Sequence, residues 1–311
     1  MVGSDEERAQ VEGAGRYNRG VFDFLKRQRR ERITAEPFPE AWEEYLRANV
    51  AHYALLTPDE QARLRDDLRV FRAEREWEGA GGLSLTDEVT VTISALACLL
   101  TLGLPNRTDA YRGVSTILVY PAGYRVAGRE PMPGGIVDVR ESWRLGEAWQ
   151  HGPVILSWAD ARDGARQTGD GHSVALHEFA HALDMADGDA EGVPRLHRAE
   201  LYDAWQQVMD AEFNALREET YAGREAVLDS YGATNPAEFF AVATETFFEK
   251  PVALHHRHRL LYSVLRDYYG QDPAARALRH LRSLPRAARK PAAEEIAAEP
   301  RKGRAWPWSE P

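Results

Sequence analysis

Two histidines and a glutamate stand at a spacing that suits metal chemistry. The segment His177-Glu178-Phe179-Ala180-His181 has the pattern HExxH. Side chains four residues apart lie on one face of an α-helix, about 6 Å apart along its axis. Two imidazoles placed in this way can bind one Zn²⁺ ion at ~2.0–2.1 Å each. Because Glu178 adjoins the first imidazole, its carboxylate can act as a general base beside the metal. The pattern predicts one hydrolytic zinc site per chain.

The residues around this motif favour the helix that the metal site requires. Val174, Leu176, Phe179 and Leu183 supply an apolar lining at helical spacing, and Gly188 supplies a stop. We therefore expect a helix over 173–187. The alternative is a helix that carries two hydrogen-bonded core histidines without a metal.

A catalytic zinc needs a third protein ligand, and the sequence offers two carboxylates for it. The continuation HExxHxxGxxH, which would provide a third histidine, is absent after His181. Glu238 and Glu245 lie two turns apart on one face of a predicted helix over 236–249. Since Asn235 precedes Glu238 at the spacing of a capping box, Glu238 also has a purely structural interpretation. The residues alone leave both carboxylates open as ligands.

Two further side chains are candidates for supporting roles. Asp184 falls one turn after His181, where it could orient a ligand imidazole or be an exposed residue at the helix end. The predicted strand over 154–158 lies just upstream of the motif helix. If this strand lies at the edge of the sheet, it could pair with an extended peptide and offer Trp158 as a wall of the substrate site. The alternative is a strand in the core of the protein.

Composition limits the partners and the compartment. The 311-residue chain has 49 acidic and 39 basic side chains, a net charge of -10 that argues against a nucleic-acid partner. With Cys98 as its single cysteine, an intrachain disulfide and thiolate metal sites are excluded, which fits a reducing, cytoplasmic setting. The start of the chain lacks the features of a signal peptide. The uncharged stretch 89–106 is interpreted as a buried helix, so no membrane association is expected.

The distribution of apolar residues predicts an α+β fold, mainly helical, with a small mixed sheet. Helical signals dominate up to about residue 104, and β-branched runs at 114–120 and 152–158 predict strands. Later helices are predicted over 173–187, 196–220, 236–249 and 255–269. We expect a disordered arm over 1–15, one domain over 16–282 with an N-terminal helical lobe to about 110, and a disordered Pro/Ala/Arg-rich tail over 283–311. In that tail, Trp306 and Trp308 are a candidate docking tag.

The sequence resembles the MtfA (Mlc titration factor A) family of bacterial zinc-dependent peptidases over most of residues 40–280. The matching segments are 97–100, 117–121, 152–158, the HEFAH motif followed by Leu183-Asp184, and 231–240. The order of HExxH, tyrosine and glutamate is also similar to the catalytic core of anthrax lethal factor, which implies a zincin-like fold. The N-terminal arm and the C-terminal tail depart from the family pattern.

The resemblance implies a role for each residue of the site. In that family the two histidines of HExxH and the glutamate of a Pro-Ala-Glu motif hold zinc, which places the ligands at His177, His181 and Glu238. A tyrosine seven residues before that glutamate points into the site, and this position is Tyr231 here. Glu178 is then the catalytic base, and the phenol of Tyr231 can donate to the developing oxyanion.

The same resemblance implies the function and its alternatives. The first expectation is a gluzincin-like metallopeptidase, of aminopeptidase type, that hydrolyses peptide substrates by a zinc-activated water. The alternative is a regulatory protein that sequesters a transcriptional repressor controlling sugar uptake, with peptidase activity secondary. A zinc hydrolase acting on a non-peptide amide is a third reading.

Overall fold

The computed structural model describes residues 23–131, 137–144, 146–148, 152–188 and 191–285. The predicted arm over 1–15 and residues 286–311 of the tail predicted over 283–311 lie outside the described residues, while Ser283 still belongs to a helix. Two units are distinguished, one up to Pro39 and one from Glu40 onward. The first contributes helix α1 (23–35), and all the other elements belong to the second. The predicted limits of the domain and its lobes stay predictions.

The second unit is built mainly from helices. They are α2 (Glu40–Asn49), α3 (Pro58–Ala73), α4 (Asp87–Thr101), α5 (Trp158–Arg166), α6 (Val174–Asp184), α7 (Leu201–Tyr221), α8 (Pro236–Glu249), α9 (Pro251–Arg257), α10 (Arg259–Tyr269) and α11 (Pro273–Ser283). The strands are β1 (Glu76–Gly79), β2 (Thr116–Tyr120), β3 (Tyr124–Pro131), β4 (Val137–Arg144), β5 (Gly146–Ala148) and β6 (Val154–Ser157). Short 3₁₀ turns cover Ala51–Leu55, Arg107–Tyr111, Met185–Asp187 and Ser230–Ala233.

The strands form one mixed sheet and one hairpin, which confirms the α+β prediction. The sheet has the order β1-β2-β6-β5, with β1, β2 and β6 parallel and β5 antiparallel to β6. Strands β3 and β4 pair as a separate antiparallel hairpin. The sequence predicted β2 and β6, whose Ile117, Val119, Val154 and Leu156 are buried. It did not predict β1, β5 or the hairpin.

The position of β6 decides between the two interpretations of this strand in favour of a core strand. Hydrogen bonds from β2 on one side and β5 on the other make β6 an interior strand. Trp158 is the first residue of α5 rather than the end of the strand, and the guanidinium of Arg162 lies 5.6 Å from the centre of its ring. A substrate backbone therefore cannot pair with β6. A substrate role for Trp158 itself stays a prediction.

Local capping sets where several helices begin. Thr57 and Glu60 form a capping box at the start of α3, and Thr86 caps α4. Two predictions need correction: α7 begins at Leu201 rather than 196, and the helix expected over 255–269 is divided into α9 and α10. Helices α5 and α11 were not predicted. The division occurs at His258, whose non-helical backbone (φ -128°, ψ 59°) interrupts the run. Its imidazole lies 2.7 Å from a carboxylate oxygen of Glu212.

Helix α6 runs through the centre of the core. It packs against α4, α5 and α8 and against strands β5 and β6. Phe179, within the motif, is fully buried and meets Phe71 and Tyr111 edge to face at centroid distances of 5.7 and 5.4 Å. Close packing of this kind restricts both translation and rotation of a helix. The motif side chains therefore project from a rigid support.

The described residues contain no helix with the length and apolarity that a bilayer crossing requires.

A buried acidic residue ends α8. Glu249 accepts the N–H of Gly169 at 3.0 Å, and its other carboxylate oxygen lies 3.4 Å from Nε2 of His52. Burial raises the pKa of Glu249 well above its usual value of 4.5. Burial also lowers the pKa of His52 to about 4. The interior thus favours the uncharged form of each group.

We expect Glu249→Gln to make stability less dependent on pH. In the wild type, the folded state keeps a proton that the unfolded state releases above pH 4.5, so stability falls as pH rises towards the folded pKa. The amide can still accept from Gly169 and does not titrate. The stability difference between variant and wild type should therefore grow with pH, by at most about 1.4 kcal/mol per pH unit. Urea unfolding from pH 5.5 to 8 measures it. The exposed Glu225→Gln is the control, and parallel curves for Glu249→Gln and wild type would contradict the assignment.

Candidate metal centre

Helix α6 presents the two motif histidines side by side. Ser173 caps the helix by accepting the N–H of Leu176. The Nε2 atoms of His177 and His181 are 3.1 Å apart, and both point to the same space. Glu178 lies between them in sequence and is only 3% exposed. The predicted helix and the predicted common face of the two imidazoles are both present.

Helix α8 supplies a carboxylate to the same point. Oε2 of Glu238 lies 3.0 Å from Nε2 of His177 and 3.3 Å from Nε2 of His181. Asn235 accepts the backbone N–H of Glu238 at 2.9 Å, which is one half of the capping box that the sequence allowed. The side chain of Glu238 turns towards the imidazoles. The cap therefore fixes the backbone of Glu238, while its carboxylate faces the histidines.

The three ligand atoms fit a divalent metal ion. In a tetrahedral zinc site with bonds of ~2.0–2.1 Å, neighbouring ligand atoms lie about 3.3 Å apart. The separations here are 3.0, 3.1 and 3.3 Å. Two imidazole nitrogens and one carboxylate oxygen form a donor set of catalytic zinc sites, which keep a fourth position open. Within the described part of the chain, this is the one group of metal-binding side chains that meets at a point.

Glu245 lies behind the first ligand. Its Oε1 is 2.7 Å from Nδ1 of His177, and its Oε2 accepts the N–H of Ser173 at 2.6 Å. Because Nδ1 donates to this carboxylate, the lone pair of Nε2 is directed at the metal position. The residues alone left Glu238 and Glu245 open as ligands. The structure places Glu238 at the Nε2 atoms and Glu245 at Nδ1, a positioning role that the sequence reasoning missed.

The pKa shifts differ among the three side chains that meet in the cluster. Burial raises the pKa of Glu238, but its hydrogen bonds with His177 and His181 outweigh that effect and hold the pKa below its usual value. Burial lowers the pKa of His181. Burial also acts to lower the pKa of His177, but the charge of Glu245 and the hydrogen bonds with Glu238 and Glu245 raise it overall. An ionised Glu238 and a neutral His181 are the forms that bind metal, and an ion bound here would displace the proton that the raised pKa keeps on His177.

Tyr231 lies next to the cluster. It belongs to the 3₁₀ turn Ser230–Ala233, and its ring centroid is 6.0 Å from that of His177. Asp229 accepts the N–H of Tyr231 at 2.8 Å and holds the start of the turn. This turn packs against α8. The structure thus brings the predicted tyrosine to the predicted ligands.

Asp184 is fully buried, not exposed at the helix end. Its Oδ2 accepts the N–H of Gly192 at 2.8 Å. Gly192 has φ +75°, and a Cβ there would lie 2.3 Å from the carbonyl oxygen of Pro236. Asp184 therefore ties the end of α6 to a segment that abuts the start of α8. Its role in orienting an imidazole stays a prediction, while the carboxylate that contacts His177 Nδ1 is Glu245.

We expect Glu245→Ala to weaken zinc binding by about 10- to 100-fold, the usual effect of losing a carboxylate that orients a ligand histidine. The imidazole of His177 would then be free to rotate or to change tautomer. Titration against a competing chelator measures the affinity. Glu225→Ala, at an exposed position, is the control, and Glu245→Gln should fall between wild type and Glu245→Ala. An unchanged affinity in Glu245→Ala would show that Glu245 does not position the ligand.

Comparison with known proteins places the chain in a family. Residues 25–270 match the family model described as "Glucose-regulated metallo-peptidase M90". An uncharacterized protein of Synechocystis is 39% identical over 246 residues, covering 79% of this chain and 89% of that protein. Mlc titration factor A of Klebsiella pneumoniae strain 342 is 34% identical, and that of Escherichia fergusonii is 32% identical, each over 240 residues, covering 76% of this chain and 87% of the relative. The chain therefore belongs to the M90 family of metallopeptidases, together with Mlc titration factor A.

Proposed function

We propose that this protein is a zinc-dependent peptidase. The observation that carries the proposal is the meeting of His177 Nε2, His181 Nε2 and Glu238 Oε2 within 3.3 Å of one another, next to the buried Glu178. Two imidazole nitrogens and one carboxylate oxygen suit zinc, whereas Mg²⁺ and Ca²⁺ prefer oxygen ligands alone. The single buried cysteine supports a cytoplasmic setting.

The side chains around the metal position have distinct tasks. Bound zinc would supply Lewis acidity, polarising the scissile carbonyl and lowering the pKa of the attacking water. Glu178 accepts the proton of that water and passes it to the leaving amine. The phenol of Tyr231 donates to the oxygen on which negative charge develops. Glu245 holds His177 in one orientation throughout, which avoids reorganisation during the reaction.

Strand β5 offers a place for the substrate backbone. Among the described strands it is the last in the order β1-β2-β6-β5, and it packs against α6. An extended peptide can add to such an edge through main-chain hydrogen bonds, which would align it along the motif helix. In this proposal β5 takes the part that the sequence had suggested for β6.

A mixture of peptides tests the activity and its end specificity. Protein loaded with one zinc ion per chain should cleave peptides, and a chelator should abolish the cleavage. Action of aminopeptidase type predicts cleavage of peptides with a free N-terminus and no cleavage of the same peptides after acetylation. Equal cleavage of both sets would show that the protein is a peptidase without a preference for a free N-terminus. Cleavage of neither set by the loaded protein would refute the peptidase proposal.

We expect Tyr231→Phe to lower kcat by about 10²- to 10³-fold, the usual cost of losing one donor to an oxyanion. The ring would still pack beside His177, so KM and zinc content should change little. Steady-state kinetics with a cleaved peptide measure the effect. Tyr221→Phe is the control because Tyr221 is 96% exposed. A rise in KM at constant kcat would instead assign Tyr231 to substrate binding.

A regulatory role is the second candidate. It is supported by the name of the relatives, Mlc titration factor A, and by the glucose-regulated description of the family. In this role the protein binds a transcriptional repressor that controls sugar uptake, and its peptidase activity is secondary. Glu178→Gln separates the two roles: a cellular effect on sugar uptake that survives the substitution would come from binding.

A further inference from the structure

A cavity of about 440 Å³ lies between α7, residues 191–193 and the first turns of α8. Aromatic side chains form much of its wall, namely Tyr202, Trp205, Phe213 and Phe239. Trp205 and Phe239 are each 1% exposed, whereas Tyr202 is 39% exposed at the rim. The cavity is therefore an open, aromatic-lined site rather than an internal void.

The charges around this cavity are acidic. Glu191 and Asp210 belong to its lining and are exposed, and the described lining includes neither lysine nor arginine. Helix α7 as a whole has five acidic side chains and one basic one, Arg217, which lies over the ring of Phe213. Aromatic faces combined with carboxylates attract cations and flat apolar groups. The matching ligand is a basic segment that carries aromatic side chains.

The chain itself contains such a segment beyond the described residues. Positions 301–308 carry Arg301, Lys302 and Arg304, no acidic residue, and the two tryptophans Trp306 and Trp308. The segment follows the family match, which ends at residue 270. Residues 286–311 can span up to roughly 85 Å when extended, against a diameter of about 50 Å for a domain of this size. The tail is long enough to reach any point on its own domain.

We propose that segment 301–308 docks in this cavity of its own chain. Its tryptophans pack against the aromatic wall, and its cationic side chains face Glu191 and Asp210. The docked segment contacts Pro236 and Phe239, which flank Glu238 in sequence. It also contacts Gly192, which is bonded to Asp184 at the end of α6.

Disulfide trapping in the full-length chain tests this contact. Cys98 is fully buried and does not compete. Gln206→Cys, in the cavity, is combined with Ser309→Cys, next to the last tryptophan. The matched control combines Ser309→Cys with Glu218→Cys, an exposed position on α7 outside the cavity. Mild oxidation followed by mass spectrometry of unreduced peptides gives the rate of crosslinking within one chain.

Docking predicts that the Gln206 pair crosslinks at least about tenfold faster than the Glu218 pair, because binding raises the local concentration of the tail at the cavity. Adding Trp306→Ala and Trp308→Ala, or in a separate protein Asp210→Lys, should reduce the Gln206 rate to that of the control. Equal rates for the two pairs would overturn the proposal. Crosslinks formed only between two chains, with a rate that rises with protein concentration, would also overturn it.

Discussion

The Glu178→Gln protein is expected to contain zinc in the same amount as the wild type and to hydrolyse peptides at least 10²- to 10⁴-fold more slowly. The substitution removes the carboxylate that we propose as acceptor of the proton of the attacking water, and it leaves His177, His181 and Glu238 in place. The amide has nearly the same volume, so the packing of this 3% exposed side chain is retained. Metal analysis of the purified protein and kcat on a cleaved peptide are the two measurements.

A matched substitution shows that the effect belongs to this position. Glu225→Gln makes the same chemical change at an exposed site and should leave both zinc content and kcat unaltered. Activity of the Glu178→Gln protein within a few fold of wild type would show that another group accepts the proton. Loss of zinc from the variant would show that Glu178 contributes to binding the metal.

Glu238→Ala is expected to lose zinc. Removal of one of three ligands leaves two imidazoles, and the affinity should fall by more than the 10- to 100-fold that follows loss of an orienting carboxylate. The peptidase activity should disappear at the zinc concentrations at which the wild type is fully loaded. Chelator competition and metal analysis of the dialysed protein measure the loss.

Comparison with Glu245→Ala tests the assignment of the two carboxylates. Zinc affinity should decrease from wild type to Glu245→Ala and further to Glu238→Ala. The change at Glu245 disturbs the orientation of His177, whereas the change at Glu238 removes a ligand. Stoichiometric zinc in dialysed Glu238→Ala would remove Glu238 from the site. The reverse order would assign the ligand role to Glu245.

The motif helix could be predicted because its signals are local. The spacing of His177 and His181 places both imidazoles on one face whatever surrounds the helix. Asn235 with Pro236 sets the start of α8 in the same local way. The choice between Glu238 and Glu245 depends on how α8 packs against α6, which no local pattern contains. The family resemblance assigned Glu238 as the ligand. The contact of Glu245 with Nδ1 of His177 became visible only in the three-dimensional arrangement.

In the sheet, too, only the strands with a clear local sequence pattern could be predicted. Strands β2 and β6 are rich in β-branched and apolar residues, and they were predicted. Strand β5 is Gly146-Glu147-Ala148, three residues with low strand propensity, and it exists because β6 pairs with it. Its presence makes β6 an interior strand, so the core strand is the one of the two interpretations of β6 that the structure shows. His258 likewise divides α9 from α10 without a proline or a glycine to mark the break.

The hydrogen bonds of Glu245 to Ser173 and His177 have a consequence for the exchange of a metal ion bound at this site. One carboxylate joins the cap of the helix to the far nitrogen of the first ligand, and neither bond involves the metal. The orientation of His177 is thus set by contacts within the protein. We expect that a bound zinc ion can be removed and replaced by Co²⁺ without unfolding of the chain. The selectivity of the site among cations should then depend on the fixed spacing of its three donor atoms.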